Sequence, residues 1–288
     1  MENYRVKKYA ICYFDILGYK QMLDQVGDNV FIHYIVAVID TVKQILNDGG
    51  IISFEYHIFS DNVIIFVPVY KDECGNITTI AEFIRCMSLL QRNLMGQYSI
   101  FIRGCITLGD LFYGGDFIYG SGLIKAYNLE DRIAIYPRII LDEECVDMCC
   151  SENQSFWQFV CKSYVKKDID GHYYLSYLDD LKTNYMSISE NYRSGKQITP
   201  IDTRKYSELP SPFRTIDFSK DNIVQRVFEK YASTRNIIGL NYLLLHKIIV
   251  EQNLAVVTDE SVRMKYLWCK KYHNEVCKDN IVPELVIE

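Results

Sequence analysis

The first half of the chain alternates between two hydrophobic rhythms. Residues 8–15 (Lys-Tyr-Ala-Ile-Cys-Tyr-Phe-Asp) form an almost unbroken apolar run, the pattern of a strand buried on both faces. Met22, Leu23, Val30, Ile32, Ile35, Val36, Ile39, Val42, Ile45 and Leu46 then recur at helical spacing, which predicts a helix over 19–47 stopped by Asn-Asp-Gly-Gly at 47–50. Strand-like runs at 51–59 and 62–69 flank Ser60-Asp61, a hairpin signature. A second helix is predicted over 77–95, ending near Gly96. A second strand pair, 99–108 and 112–119, is predicted around Gly109-Asp110, then a helix over 121–131 and a strand over 134–141. This order, β-α-β-β-α-β-β-α-β, predicts an α/β (α+β) fold: an antiparallel-rich, ferredoxin-like sheet with helices packed on it.

Beyond residue 142 the pattern changes. A helix is expected over 142–165 and a strand over 171–178. An irregular connector with Pro200, Pro210 and Pro212 is expected over 194–222, then helices near 221–253 and 259–277. The first of these carries Ile237, Ile238, Leu240, Leu243, Leu244, Ile248 and Ile249, and the second Val262, Tyr266, Leu267 and Trp268. The chain thus divides into a sheet domain, 1–150, and a mainly helical C-terminal extension, 151–288, read as a dimer, packing or lid element.

Composition narrows the function classes. A net charge of −6 without a basic stripe argues against duplex nucleic acid as a partner. No apolar run reaches the roughly 18 residues of a membrane span, and the N-terminus lacks a signal-peptide core, so a cytoplasmic protein without a membrane partner is expected. The ten cysteines form no Cys-x-x-Cys pair, and Cys145, Cys149 and Cys150 have no partner pair at zinc-finger spacing; reduced thiols are expected.

Two aspartates carry the candidate chemistry. Asp15 ends the first apolar run, and Asp61 sits in the Ser-Asp-Asn turn between two strands. A carboxylate at the end of a buried strand is costly unless something pairs with it. Two of them brought together favour a hard cation, Mg²⁺ or Mn²⁺, shared with substrate phosphates. Alone, Asp15 also suits a helix N-cap and Asp61 a simple turn residue. Asp110 and Asp116 read as turn residues.

Four motifs in order resemble the class III nucleotidyl cyclase domain: Cys-Tyr-Phe-Asp-Ile-Leu-Gly-Tyr (12–19), Ser60-Asp61, Ile102-Arg103-Gly104-Cys105-Ile106-Thr107-Leu108-Gly109, and Gly120-Ser-Gly-Leu-Ile-Lys-Ala-Tyr-Asn-Leu-Glu130. The resemblance implies that Asp15 and Asp61, helped by the Ile16 carbonyl, bind two Mg²⁺ or Mn²⁺ ions. It places Phe14, Leu17, Gly18 and Tyr19 beside the substrate, with free N–H groups of the turn facing phosphate oxygens. It also implies a head-to-tail homodimer with shared active sites, in which the ribose 3′-hydroxyl attacks the α-phosphorus and pyrophosphate leaves.

The departures from the family pattern are as telling. Where purine cyclases carry base-reading polar residues, this chain has His57 and Phe117. Where they carry a transition-state Asn and Arg, it has Ile124 and Asn128, leaving Arg103 or Lys125 to supply charge. This set, together with Tyr136-Pro137-Arg138-Ile139 and Lys265-Tyr266-Leu267-Trp268, resembles the Pycsar pyrimidine cyclases of bacterial antiphage defence. The resemblance implies UTP or CTP as substrate, cyclic UMP or cyclic CMP as product, and a downstream effector that the product activates. The bland readings are a half-buried polar His57, a packing Phe117, a structural Arg103 and a solvated Lys125. The alternatives in function are a purine cyclase and a catalytically inactive, cyclase-like nucleotide sensor.

Overall fold

The computed structural model describes residues 6–48, 54–69, 78–114, 117–151, 162–178, 230–231 and 237–288. Expectations for 51–53, Cys74, Asp116, Cys161, the connector 194–222 and the start of the helix near 221 lie outside them. The first strand, β1 (Lys7–Ile16), leads into two helices, α1 (Tyr19–Val26) and α2 (Asp28–Asp48). The single helix expected here is broken because Gly27 takes φ 77, a left-handed value that ends α1, and its N–H donates back to the Leu23 carbonyl at 2.8 Å. The hairpin β2 (Glu55–Phe59) and β3 (Asn62–Pro68) follows, then α3 (Thr78–Tyr98) and β4 (Ile102–Tyr113). Helix α3 runs through Gly96 and stops at Ser99, which holds φ 55.

β3 and β4 both pair antiparallel with β1, and β2 pairs antiparallel with β3. The order β2-β3-β1-β4 is the ferredoxin-like arrangement of two split β-α-β units, as expected from the alternation. The sheet continues from β4 through β6 (Ile139–Leu141), parallel to it, to β8 (Tyr173–Leu175) and β7 (Val165–Lys167). Strands from beyond residue 150 therefore extend the same sheet as the N-terminal half. The helix expected over 142–165 begins as α5 (Glu143–Ser151), and at residue 165 the chain is in β7. The strand expected over 134–141 is confined to β6; Pro137, lacking an N–H, lies in the segment before it.

The Gly109-Asp110 turn is not a turn. β4 passes straight through it, and the chain reverses instead between Gly114 and Phe117, where β5 (Ile118–Tyr119) pairs back on the end of β4. Gly109 serves a close approach: a Cβ there would lie 2.3 Å from the Cα of Gly122 in α4 (Ser121–Ile133).

Alternation along β1 divides the core. Ala10, Cys12, Phe14 and Ile16 face α2 and α3 and pack with Val38, Leu46, Phe83 and Met87. Ile11 and Tyr13 face the opposite way, with Phe66, Cys105, Leu111 and Ala126 of α4. Helix α2 has the length and apolar content of a membrane-spanning segment, but its buried stripe of Phe31, Tyr34, Val38, Val42 and Leu46 is taken up by this core. A second cluster joins β8 to α6 (Ile237–Val256) and α7 (Glu260–Asn280) through Tyr174, Tyr177, Leu243, Trp268 and Tyr272. At its edge the fully buried Arg138 guanidinium bonds Asp168 and Asp170, and the Trp268 indole N–H donates to Asp168 at 2.7 Å. Cys12, Cys86, Cys105, Cys145, Cys269 and Cys277 are buried free thiols.

Candidate active site

Strand pairing brings the two aspartates together. Asp15 stands opposite Asn62 in the β1–β3 register, and the Ile16 N–H donates to the backbone carbonyl of Asp61 at 3.1 Å. Ser60 allows this tight turn by taking φ 59. Side chains continue the link: the Tyr13 hydroxyl donates to Asn62 Oδ1 at 2.9 Å, and Asn62 Nδ2 donates to Asp61 Oδ1 at 3.1 Å.

On the other side of β1, Arg103 stands opposite Asp15. Its Nε donates to both Asp15 oxygens at 2.9 Å, and its Nη2 lies 2.8 Å from Oδ2. The same Nη2 lies 3.2 Å from Glu130 Oε1, without the geometry of a hydrogen bond, so that this oxygen has no hydrogen-bond partner among the described residues. Glu130 is buried because it lies on the inward stripe Gly122, Ala126, Glu130 of α4. One guanidinium thus sits between two carboxylates of low exposure. Burial pushes the Asp15 carboxyl above its ordinary value, against the pull of Arg103's charge and hydrogen bonds, and the charge of Asp61 adds to the rise. Burial, then the charge of Asp15, lifts Glu130 to about 7.

The donor set suits a hard divalent cation held jointly with a substrate's oxygens. Asp15 and Asp61 bring two carboxylates to one hairpin junction, within electrostatic reach of each other. Among the described residues no three His, Cys, Asp or Glu side chains converge into a closed metal cage.

The other expected site residues are distributed unevenly. Leu17, Gly18 and Tyr19 form the turn directly after β1; Gly18, at φ 78, caps α1 without a side-chain bond, and Tyr19 packs edge-on against Phe31 at 4.8 Å. Phe14 does not belong with them: alternation turns it away from Asp15, and it is fully buried against α2 and α3. His57 lies half-buried beside Phe66, stacked at 6.1 Å, and Tyr113, edge-on at 5.4 Å; its Nε2 is buried without a hydrogen-bond partner. Phe117 is 53% exposed and leans on Phe112, whose strand neighbour Tyr113 faces His57 from the opposite side of the hairpin. The structure therefore does not bring Phe117 to His57 within one chain. Lys125 does not join Arg103. It is engaged further along β4 by Asp142, Glu144 at 3.0 Å and the Leu108 carbonyl at 3.5 Å. Asn128 is half-buried on α4, two residues before Glu130.

Two residues of this region carry no role in the motif reading. Glu130 was legible as a carboxylate on the apolar stripe of its helix. Lys265 was not: nothing in the sequence says that the first turns of α7 come within electrostatic reach of Asp15.

No family model and no curated protein matches the chain. Among solved structures, it is similar to the guanylyl cyclase domain of the RhoGC fusion protein from the aquatic fungus Blastocladiella emersonii, with 12% identity over 59% of this chain and 96% of that one and a TM-score of 0.44. It is also similar to the adenylyl cyclase CyaB from P. aeruginosa, at 15% identity, 59% and 94% coverage and a TM-score of 0.41. A third likeness is to the guanylate cyclase domain of RhGC from Catenaria anguillulae in complex with GTP, at 10% identity, 59% and 97% coverage and a TM-score of 0.44.

Proposed function

We propose that this chain is a divalent-cation-dependent nucleotidyl cyclase that converts UTP or CTP to the 3′,5′-cyclic monophosphate and pyrophosphate, as a second messenger in antiphage defence. The observation that carries the reading is the convergence of three separate motifs: Asp15 and Asp61 share one hairpin junction, and Arg103 lies on Asp15.

Asp15 and Asp61, with the Ile16 carbonyl, would hold the Mg²⁺ or Mn²⁺ ions. Such ions would lower the pKa of the ribose 3′-hydroxyl and neutralise the leaving pyrophosphate. Arg103 is placed to exchange its carboxylate partners for phosphate oxygens, for which a guanidinium fork is well suited. The Leu17-Gly18-Tyr19 turn presents the first N–H groups of α1 at the same strand end. His57 offers an unpartnered ring nitrogen at an aromatic wall, and a neutral imidazole supplies one donor and one acceptor. That inventory suits uracil O4 or the cytosine amino group. Exposed apolar side chains on α4 and the β5 hairpin, among them Ile124, Tyr127, Phe117 and Tyr119, support a homodimer with shared sites.

One observation favours a second reading. Arg103 already occupies both oxygens of Asp15, as it would in a cyclase-like nucleotide sensor that no longer binds metal. The test is incubation with Mn²⁺ and each of four α-³²P-labelled nucleoside triphosphates, with Asp15→Ala and Asp61→Ala as controls. Cyclic product from UTP or CTP alone, lost in both variants with the fold intact, is the expected result. Product only from ATP or GTP would move the chain to the purine cyclases. No product, together with metal-independent nucleotide binding, would favour the sensor.

A further inference from the structure

Helix α7 reaches the candidate active site from the C-terminal half of the chain. Tyr266 packs edge-on against Phe101 at 5.9 Å, and the Phe101 carbonyl accepts from the Leu17 N–H at 2.9 Å. Leu17 itself packs against the C-terminal cluster. Phe101 and Leu17 each lie two residues from a member of the ion pair, Arg103 and Asp15. The start of α7 therefore sits against the strand ends that carry that pair. Its position is well fixed. Asp259 caps the helix by accepting from the Val262 N–H at 2.9 Å, and Trp268, stacked on Tyr136 at 6.0 Å, bonds Asp168 beneath it.

Lys265 directly precedes Tyr266. It is half-buried and makes no hydrogen bond or ion pair with the described residues. It lies within electrostatic reach of Arg103 and Asp15 and, along its own helix, of Asp259. Burial first, then the like charge of Arg103, makes its ammonium easier to deprotonate than an ordinary lysine, outweighing the two aspartates. Two cations thus lie within electrostatic reach of each other, and one of them is already bonded to Asp15. The Lys265 charge is therefore not taken up by an ion pair among the described residues, and a chain of phosphates supplies acceptor oxygens to both cations at once.

We propose that Lys265 binds the polyphosphate of the nucleotide, in the same subunit as Asp15, so that the C-terminal extension completes the site rather than merely packing against it. This inference rests on the nucleotide reading above and assigns the extension a share in substrate binding. Lys265 acts with Arg103 on the phosphates distal to the ribose and has no part in reading the base.

The test uses the full chain with Lys265→Ala, Lys265→Gln and Lys265→Arg. Binding of tripolyphosphate, UTP, CTP and the matching monophosphates is measured by calorimetry, with Mn²⁺ binding measured alone. Removing one charge-assisted contact is expected to weaken tripolyphosphate and triphosphate binding by ~10-fold or more in the Ala and Gln variants. The Arg variant should recover much of it. Monophosphate affinity should stay unchanged, and neither Mn²⁺ affinity nor the melting temperature should fall, because Lys265 makes no hydrogen bond or ion pair among the described residues. Tripolyphosphate binding within twofold of the parent in both neutral variants would overturn the proposal. If cyclic product still forms, that failure leaves the cyclase reading standing. Lys265-dependent tripolyphosphate binding with no product from any nucleotide would uphold Lys265 and overturn the cyclase reading.

Discussion

Replacing Arg103 with methionine tests the electrostatic core of the site directly. Methionine keeps the apolar stem but removes the guanidinium from between Asp15 and Glu130, whose side chains are 15% and 7% exposed. Removing one partner of a buried pair costs about 3–5 kcal/mol. Arg103 is 25% exposed, so some of its field is already screened by water, and about 2–4 kcal/mol is the expected loss. The loss depends on pH with a definite sign. Both carboxyls already titrate above their ordinary values, Glu130 at about 7, and without Arg103 both rise further. A carboxyl raised in the folded state stabilises below its unfolded value and loses that contribution as pH rises through the folded one. The variant should therefore trail the parent most near pH 8 and much less near pH 5. Urea unfolding at the two pH values measures this. Mn²⁺ adds a second arm. At a hundred times its Kd, a cation bound only to the folded state contributes about 2.7 kcal/mol. It should bind the variant more tightly than the parent, where it meets the Arg103 charge. Equal stability of the two proteins at pH 8, or Mn²⁺ stabilising the variant less than the parent, would refute the reasoning.

Three further outcomes are expected. Glu130→Gln removes a carboxyl that the fold prefers protonated, so its melting temperature should exceed the parent's above pH 7, with the gap closing towards pH 4.5. The buried pair His246 and His273, stacked with Nδ1 atoms 3.2 Å apart, is satisfied only when neutral: His273 Nε2 donates to the Leu285 carbonyl at 2.7 Å, so its Nδ1 must accept from His246, whose Nε2 then accepts from Tyr177 at 3.0 Å. Burial lowers both, His273 to about 4, so stability present above about pH 6.5 should fall as pH drops towards 4, and a His246→Phe, His273→Leu double variant should flatten that slope in acid unfolding followed by circular dichroism. Gly109→Ala, whose new methyl would meet Gly122, should cost about 1–3 kcal/mol in urea unfolding, and Gly109→Ala as stable as the parent would show that α4 can lift from β4 freely.

Periodicity carried the central sheet well because its strands are buried on both faces or alternate cleanly, and because the helices between them repeat at 3.6 residues. The places where it failed share a cause. Gly27, Gly109 and Gly96 look alike in sequence, yet one breaks a helix, one lies in a continuous strand and one sits inside a helix. What distinguishes them is the backbone angle or the neighbour that each one meets. Phe14 was placed beside the substrate through its motif, but the two-residue period of β1 turns it to the opposite face from Asp15.

The alternation of strands and helices, the two aspartates at strand ends, and the Arg-Gly strand that follows them are legible in the chain alone. These are local: each depends on residues a few positions apart. It takes the folded chain to show that Arg103 bonds Asp15, that Glu130 is drawn into the same cluster, that Lys125 is held elsewhere, and that Lys265 reaches Asp15 from more than two hundred residues away. Those outcomes follow from strand register and from how α4 and α7 pack. Register and packing are settled by the fit of apolar surfaces that lie far apart in the chain, and no local pattern records which surfaces meet.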